Sequence, residues 1–163
     1  MKFGVGQALT RKEDDPLIRG AGRYVADVAL PDSGHVVVVR SPHAHARFRI
    51  KEMSRTKGLA GVRALLTGDD VKSLNPLPCV VGVPGQEMVV PPCHILSRGE
   101  VHHVGDAVAF VVADTLDRAR DAAEAIEIEW EPLPHVIGAE AAFAANAALG
   151  WPDRPGNLAF EVT

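Results

Sequence analysis

The sequence predicts an α+β fold with a mixed sheet, and three observations predict it. Residues 103–134, HVGDAVAFVVADTLDRARDAAEAIEIEWEPLP, change hydrophobic periodicity twice, from a continuous apolar run to a helical stripe to strict alternation. Further apolar or alternating runs at His35–Arg40 and Val62–Leu66 supply additional strands. Turn chemistry at Pro31–Gly34 and Thr67–Gly68, and the pair Pro132 and Pro134, closes these runs.

In chain order, Gly4 to Leu30 holds short polar and Gly-rich pieces around one definite clause, GAGRYVADVALP. Gly20 and Gly22 favour tight turning, and Tyr24-Val25 opens a short extended segment that Pro31 closes. The turn PDSG then leads into HVVVVR, read as a buried strand from His35 to Arg40. In SPHAHARFRI, Pro42 interrupts any ladder, and His43, His45, Arg47 and Arg49 alternate with Ala44, Ala46, Phe48 and Ile50. Ile50–Gly61 reads as short helical or irregular chain, Val62–Leu66 as a strand, and Asp69 or Asp70 as the cap of a brief helix through Leu74. Five prolines between Asn75 and Pro92 (Pro76, Pro78, Pro84, Pro91, Pro92) make a loop with an extended piece, Cys79–Val83.

The central unit is the most regular. Ala107–Ala113 suits a strand covered on both faces. Thr115 offers an N-cap hydroxyl and Asp117 a first-turn negative charge for a helix over Leu116–Glu124. Its stripe of Leu116, Ala119, Ala122, Ala123 and Ile126 is mostly alanine, so the helix should lie close to its sheet. A bulkier residue at Ala122 or Ala123 should overpack that contact at a cost of about 1–3 kcal/mol. Ile126, Ile128 and Trp130 then alternate with Glu127, Glu129 and Glu131, and Trp130 should be mostly buried with its face. Read together, the unit at about 107–131 is a strand–helix–strand crossover, its two strands neighbours in one sheet. Glu140–Ala148 is an Ala-rich helix candidate, and Asn157–Val162 reads as an incoming strand.

Composition bounds the function. The 163 residues fit one domain with a sizeable core, 47% of them hydrophobic. The charge of −4, from 17 basic and 21 acidic residues, argues against disorder and against a general nucleic-acid binder. No apolar run approaches the ~20 residues of a membrane helix, and MKFGVGQALTRKEDDP lacks the apolar centre of an export signal, so a cytoplasmic location is expected. Cys79 and Cys93, with thirteen residues between them, are two ordinary thiols rather than a disulfide framework or a zinc knuckle.

Candidate chemistry is sparse. On a strand His43 and His45 would share a face as two potential metal ligands, but a credible site needs a third and no carboxylate or cysteine lies nearby in sequence. The pair is read as structural and as holding no metal. The four alternating cations His43, His45, Arg47 and Arg49 form a polar sheet face or meet an acidic partner surface. Asp69 and Asp70 are adjacent and cannot face each other on either a helix or a strand, so capping is preferred to acid–base work. GAG lacks the flanking strand and helix of a phosphate loop. Catalytic, cofactor-binding and metal-binding residues are all read as absent.

The clauses GAGRYVADVALP, RSPHAHARFRI, GVRALLTGDDV, VHHVGDAVAFVVADTLDRARDAAEAIEIEWEPLP and PGNLAF, in this order from about Gly4 to Phe160, resemble the a/b hammerhead domain. That domain opens the molybdopterin-binding large subunit of the xanthine dehydrogenase, aldehyde oxidase and carbon monoxide dehydrogenase family, the molybdenum hydroxylases. The chain departs modestly, reading LPDSG at Leu30–Gly34 and LAG at Leu59–Gly61 where Leu-Pro-Gly turns are usual, with a more charged approach in KEDDPLIRGAG. The resemblance implies an α+β domain that precedes the cofactor-binding domains, in enzymes that hydroxylate aldehydes or heterocycles, or oxidise carbon monoxide. Their oxygen comes from water, and electrons leave through iron–sulfur clusters to FAD. The family's catalytic glutamate and pterin-contacting Gly and Gln motifs match no residue here, so none is transferred.

Residues 1–163 are accordingly expected to form a single hammerhead domain, with a core over about 18–137 and a segment over about 138–163 leading toward an absent cofactor-binding domain. Its expected role is structural, with no cofactor bound by this chain and no activity of its own. Expected partners are the molybdopterin-binding domains and the iron–sulfur and flavin subunits, with self-association when these are missing, and neither nucleic acid nor membrane. The competing reading is an autonomous small-molecule or metal-binding module using His43, His45 and the 75–92 loop.

Overall fold

The structure, a computed structural model, describes residues 6, 8–28, 30–82, 84–85, 87–154 and 156–161. Two compact units divide the chain, Met1–Ser33 and Gly34–Thr163. The first holds helix α1 (Asp14–Ile18) and a 3₁₀ turn over Val25–Asp27. Only Tyr24 keeps the extended backbone expected of Tyr24-Val25. The Asp27 carboxylate accepts the Tyr24 amide at 2.8 Å and pulls the chain into a turn.

The second unit contains two three-stranded antiparallel sheets. One is ordered β1 (His35–Arg40), β5 (Ala107–Ala113), β3 (Val62–Thr67). The other is ordered β4 (Glu100–Val101), β2 (Ala46–Ile50), β6 (Ile128–Pro132). Helix α3 spans Leu116–Glu124, as its pattern predicts, and Thr115 Oγ1 accepts the Arg118 amide at 3.3 Å. Ala119 and Ala122 are fully buried, so the alanine stripe does bring α3 close to β1 and β5.

The α+β class holds, but the crossover does not. The strands on either side of α3 fall in different sheets, β5 central in the first and β6 at the edge of the second, and every pairing is antiparallel. Periodicity shows which residues share a face but not which strand supplies the ladder bonds. Here β1 and β3 occupy both sides of β5, leaving no place for β6. The second strand also begins at Ile128 rather than Ile126 and runs through Pro132, which an edge strand tolerates.

β1 is an edge strand rather than a buried one. Val37 and Val39 are partly covered, whereas Val36 and Val38 are 52% and 36% exposed. An unbroken valine run carries no alternation by which the open face could be read. No helix follows β3, because residues 68–73 are consecutive turns. The Asp70 carboxylate instead reaches back to accept both the amide and the hydroxyl of Thr67, each at 2.8 Å, and these bonds hold its carboxyl below the usual range. The piece from Cys79 has no regular strand, and Val83 lies outside the described residues. The Ala-rich helix shrinks to one turn, α4 (Ala139–Ala142), and residues 157–161 form no strand, Val162 lying outside the described residues. Ile50–Gly61 holds one helical turn, α2 (Ser54–Lys57). Gly61 after it takes φ +81°, and a Cβ there would strike the Asp114 carboxylate and the Arg118 side chain.

Two apolar clusters form the core. Leu65, Ala109, Val111, Ala122 and Ile126 gather beneath α3, and Ala46, Val101 and Val108 gather under the second sheet. Ile50 and Ile128 pack against both clusters, so β2 and β6 join the sheets. Trp130 is largely covered on the same side, against Phe48, as its alternation requires.

Candidate functional site

The site begins with a bend that the sequence writes as Ser-Pro-His-Ala-His. Pro42 ends the ladder after β1, and Ser41 closes the turn, its Oγ accepting the His43 amide at 3.0 Å and donating to the His43 carbonyl at 2.9 Å. His43 and His45 therefore precede β2 instead of lying on it, and they do not share a face. The His43 ring meets Trp130, with centroids 5.3 Å apart. His45 turns inward and is 6% exposed.

Three chain-distant partners meet His45. Its Nδ1 lies 2.9 Å from the Pro134 carbonyl, which can only accept, so Nδ1 carries a hydrogen. Its Nε2 lies 2.9 Å from Glu100 Oε1. The His102 ring stacks on it with centroids 5.4 Å apart. Trp151 stacks on the other ring in turn, with the His102–Trp151 centroids 4.8 Å apart. His102 Nδ1 donates to the Gly150 carbonyl at 2.8 Å, and its amide donates to the Asp106 carboxylate at 2.8 Å. Asn157 sets that carbonyl's position: its Nδ2 donates to Ala142 O at 3.1 Å and Ala148 O at 3.0 Å, and its Oδ1 accepts the Gly150 amide.

Residues from RSPHAHAR, VHHVGD, EPLP and PGN, together with Glu100 and Trp151, thus meet in one polar column, His45–His102–Trp151, braced by Glu100, Pro134 and Asn157. Sequence reading missed Glu100, His102 and Trp151 because β4 is two residues long and its pairing with Ala46–Arg47 is non-local. The signal available was the coincidence of His45, His102, Trp151 and Asn157 at positions outside the strand and helix patterns. A cleft of about 540 Å³ opens beside the column, lined among others by Cys93, Glu100, His102, Asp106 and Trp151. Among the described residues of the 75–92 loop, Pro91 and Pro92 alone reach it, and His43 does not line it.

Two of the four alternating cations, Arg47 and Arg49, meet acidic side chains of this chain's own β6. Arg49 pairs with Glu129 at 2.5 Å, Arg47 lies 3.8 Å from Glu131, and Lys51 lies 3.5 Å from both Glu127 and Glu129. These pairs follow the β2–β6 register, Arg47 opposite Glu131 and Arg49 opposite Glu129. The Arg49 hydrogen bond holds the Glu129 carboxyl below its ordinary range. All are solvated and screened, so each exposed pair adds little stability. The ladder sets register more than it adds stability.

A pterin cofactor does not fit the described residues. Its phosphate and ring need several convergent donors. Yet buried Ser41, His45, Thr56 and Thr67 all spend their polar atoms inside the chain. Among the described residues the buried side-chain atoms left over are one acceptor, Asp114 Oδ1, and one donor, Arg154 Nε. Both cysteines are exposed free thiols. Among the described residues no helix is long and apolar enough to cross a membrane.

Residues 19–134 match the family described as aldehyde oxidase and xanthine dehydrogenase, a/b hammerhead domain. The chain is 38% identical over 146 residues to the carbon monoxide dehydrogenase large chain of Afipia carboxidovorans, covering 90% of this chain and 17% of that one. Among solved structures it resembles quinoline 2-oxidoreductase from Pseudomonas putida 86, with a TM-score of 0.80 and 37% identity over 96% of this chain and 20% of that one. It also resembles the Cu,Mo-CO dehydrogenase in its carbon monoxide reduced state, with a TM-score of 0.74 and 37% identity over 90% of this chain and 18% of that one.

Proposed function

Because this chain belongs to the aldehyde oxidase and xanthine dehydrogenase a/b hammerhead family, we propose that it is the non-catalytic assembly domain of a molybdenum-hydroxylase large subunit. The chain spans only 17% and 20% of the relatives quoted, so the parent activity, hydroxylation of an aldehyde or heterocycle or oxidation of carbon monoxide, belongs to the proposal. So do its molybdenum–molybdopterin, iron–sulfur and FAD groups, which would sit on other domains and subunits. The chain is taken as one functional domain over residues 1–163, cytoplasmic, and self-associating when its partners are missing.

One observation carries the reading. Val89 N–H donates to the Ala159 carbonyl at 2.9 Å, tying the 75–92 loop to the segment after Trp151. These two stretches leave Val80 89%, Val81 68%, Leu158 44% and Phe160 41% exposed. Large apolar side chains held outward on tied segments are what an interface supplies. The experiment is to assay the chain alone with aldehydes, purines and carbon monoxide and an artificial acceptor, then to sediment it with the rest of its subunit. The expected result is no turnover and a stoichiometric complex. Turnover by the chain alone, or a monomer that ignores the remainder, contradicts it.

A further inference from the structure

We propose that His45, Glu100 and His102 bind a divalent transition ion of the zinc class, an inference independent of the assembly reading. One ligand atom from each of the three lies within 4.8 Å of the others. Both rings give their Nδ1 hydrogen to a backbone carbonyl, His45 to Pro134 at 2.9 Å and His102 to Gly150 at 2.8 Å. That leaves Nε2 as the ligand atom on each ring, the outer arrangement that metal-binding histidines have. Glu100 adds an anionic oxygen, and two imidazoles with one carboxylate is a donor set that zinc, cobalt(II) and nickel accept while keeping a position open. Glu100 and His102 line the open cleft, so an ion and its completing water have a way in.

Little has to move. The His45 Nε2–Glu100 Oε1 separation is 2.9 Å. Ligand atoms about 2.0–2.1 Å from a tetrahedral ion stand about 3.3–3.4 Å apart. The entering dication takes the place of the hydrogen bond between these two atoms. The stacked rings of His45 and His102, inclined at 29°, set their lone pairs side by side, so His102, only partly buried, must turn toward the ion. His102 lies against Trp151 with centroids 4.8 Å apart, so that turn is visible in tryptophan emission.

The test uses this chain without a His tag, stripped with a chelator and titrated with Zn²⁺ against a chromophoric competitor. One equivalent should bind, with affinity reduced about ten-fold or more in Glu100→Gln and in His102→Phe. His43→Ala should bind as the parent does, and so should the Cys79→Ser, Cys93→Ser double variant. Absence of saturable binding, binding unchanged in Glu100→Gln and His102→Phe, or binding lost with the cysteines overturns the site. If the ligand variants fail to fold, Trp130→Phe leaves Trp151 as the sole tryptophan, and Co²⁺ saturation should quench it. Unaltered emission at saturation overturns the proposal as well.

Discussion

The two sheets are held by different forces. β1–β5–β3 with α3 is an apolar assembly: its buried residues include Leu65, Val108, Ala109, Val111, Ala113, Ala119 and Ala122, and small side chains let helix and sheet approach closely. β4–β2–β6, whose small core of Ala46 and Val101 closes on Val108 of β5, carries a column of aromatic and imidazole rings and an ion ladder that meet at Glu100. The first half is specified by packing of neighbouring elements. The second is specified by hydrogen bonds between residues 55 and 89 positions apart, as His45 with Glu100 and with Pro134. Packing makes an element stable, whereas directional bonds choose which distant element it meets.

The sharpest way to break this contrast is to open the apolar half. Leu65 is 4% exposed, and Leu65→Ala should cost about 2–5 kcal/mol in urea unfolding, from lost transfer energy plus a cavity. A loss under about 1 kcal/mol would mean that the packed half does not limit stability. The next effect belongs to the column. His45→Phe keeps a ring in place but strands the Pro134 carbonyl and Glu100, a cost of about 1–3 kcal/mol. The same variant should alter Trp151 emission through His102, whereas Leu65→Ala should leave the native-state emission alone.

Smaller effects probe the ladder and the turns. Arg49→Ala should lower stability only slightly, a difference that vanishes in 1 M salt because the pair is solvated. Asp70 tests sign. Its folded carboxyl is lowered by the Thr67 amide and hydroxyl, so its contribution is present above the ordinary Asp range and is lost as pH falls through the lowered value. Thr67→Val removes the hydroxyl bond, and a carbon-detected titration should then show the Asp70 carboxyl rising toward the ordinary range; no movement refutes the assignment.

The contrast also explains what could be read in advance. Thr115, the alanine stripe and the run Ala107–Ala113 are local signals, and helix α3 and strand β5 have the expected bounds. Strand partners are not local, so α3 was expected to bridge two strands of one sheet when it leads from one sheet to the other. The same limit applied to the histidines. His43 and His45 alternate in sequence, but Pro42 and Ser41 bend the chain there, and the real neighbours of His45 come from β4 and the segment after β6. Aromatic and imidazole side chains in a loop show that something is being held, not what holds it.

The central claim is that this chain grips cofactor-bearing domains through its exposed apolar segments and does no chemistry itself. Amide hydrogen exchange of the chain, alone and with the rest of its large subunit, tests that claim most directly. The account predicts slowed exchange on complex formation at residues 77–82 and 157–161, where Val80, Val81, Leu158 and Phe160 face outward. Exchange at β5 should be unchanged, since its amides already pair with β1 and β3. Equal exchange in both states at Val80, Val81, Leu158 and Phe160 would contradict it.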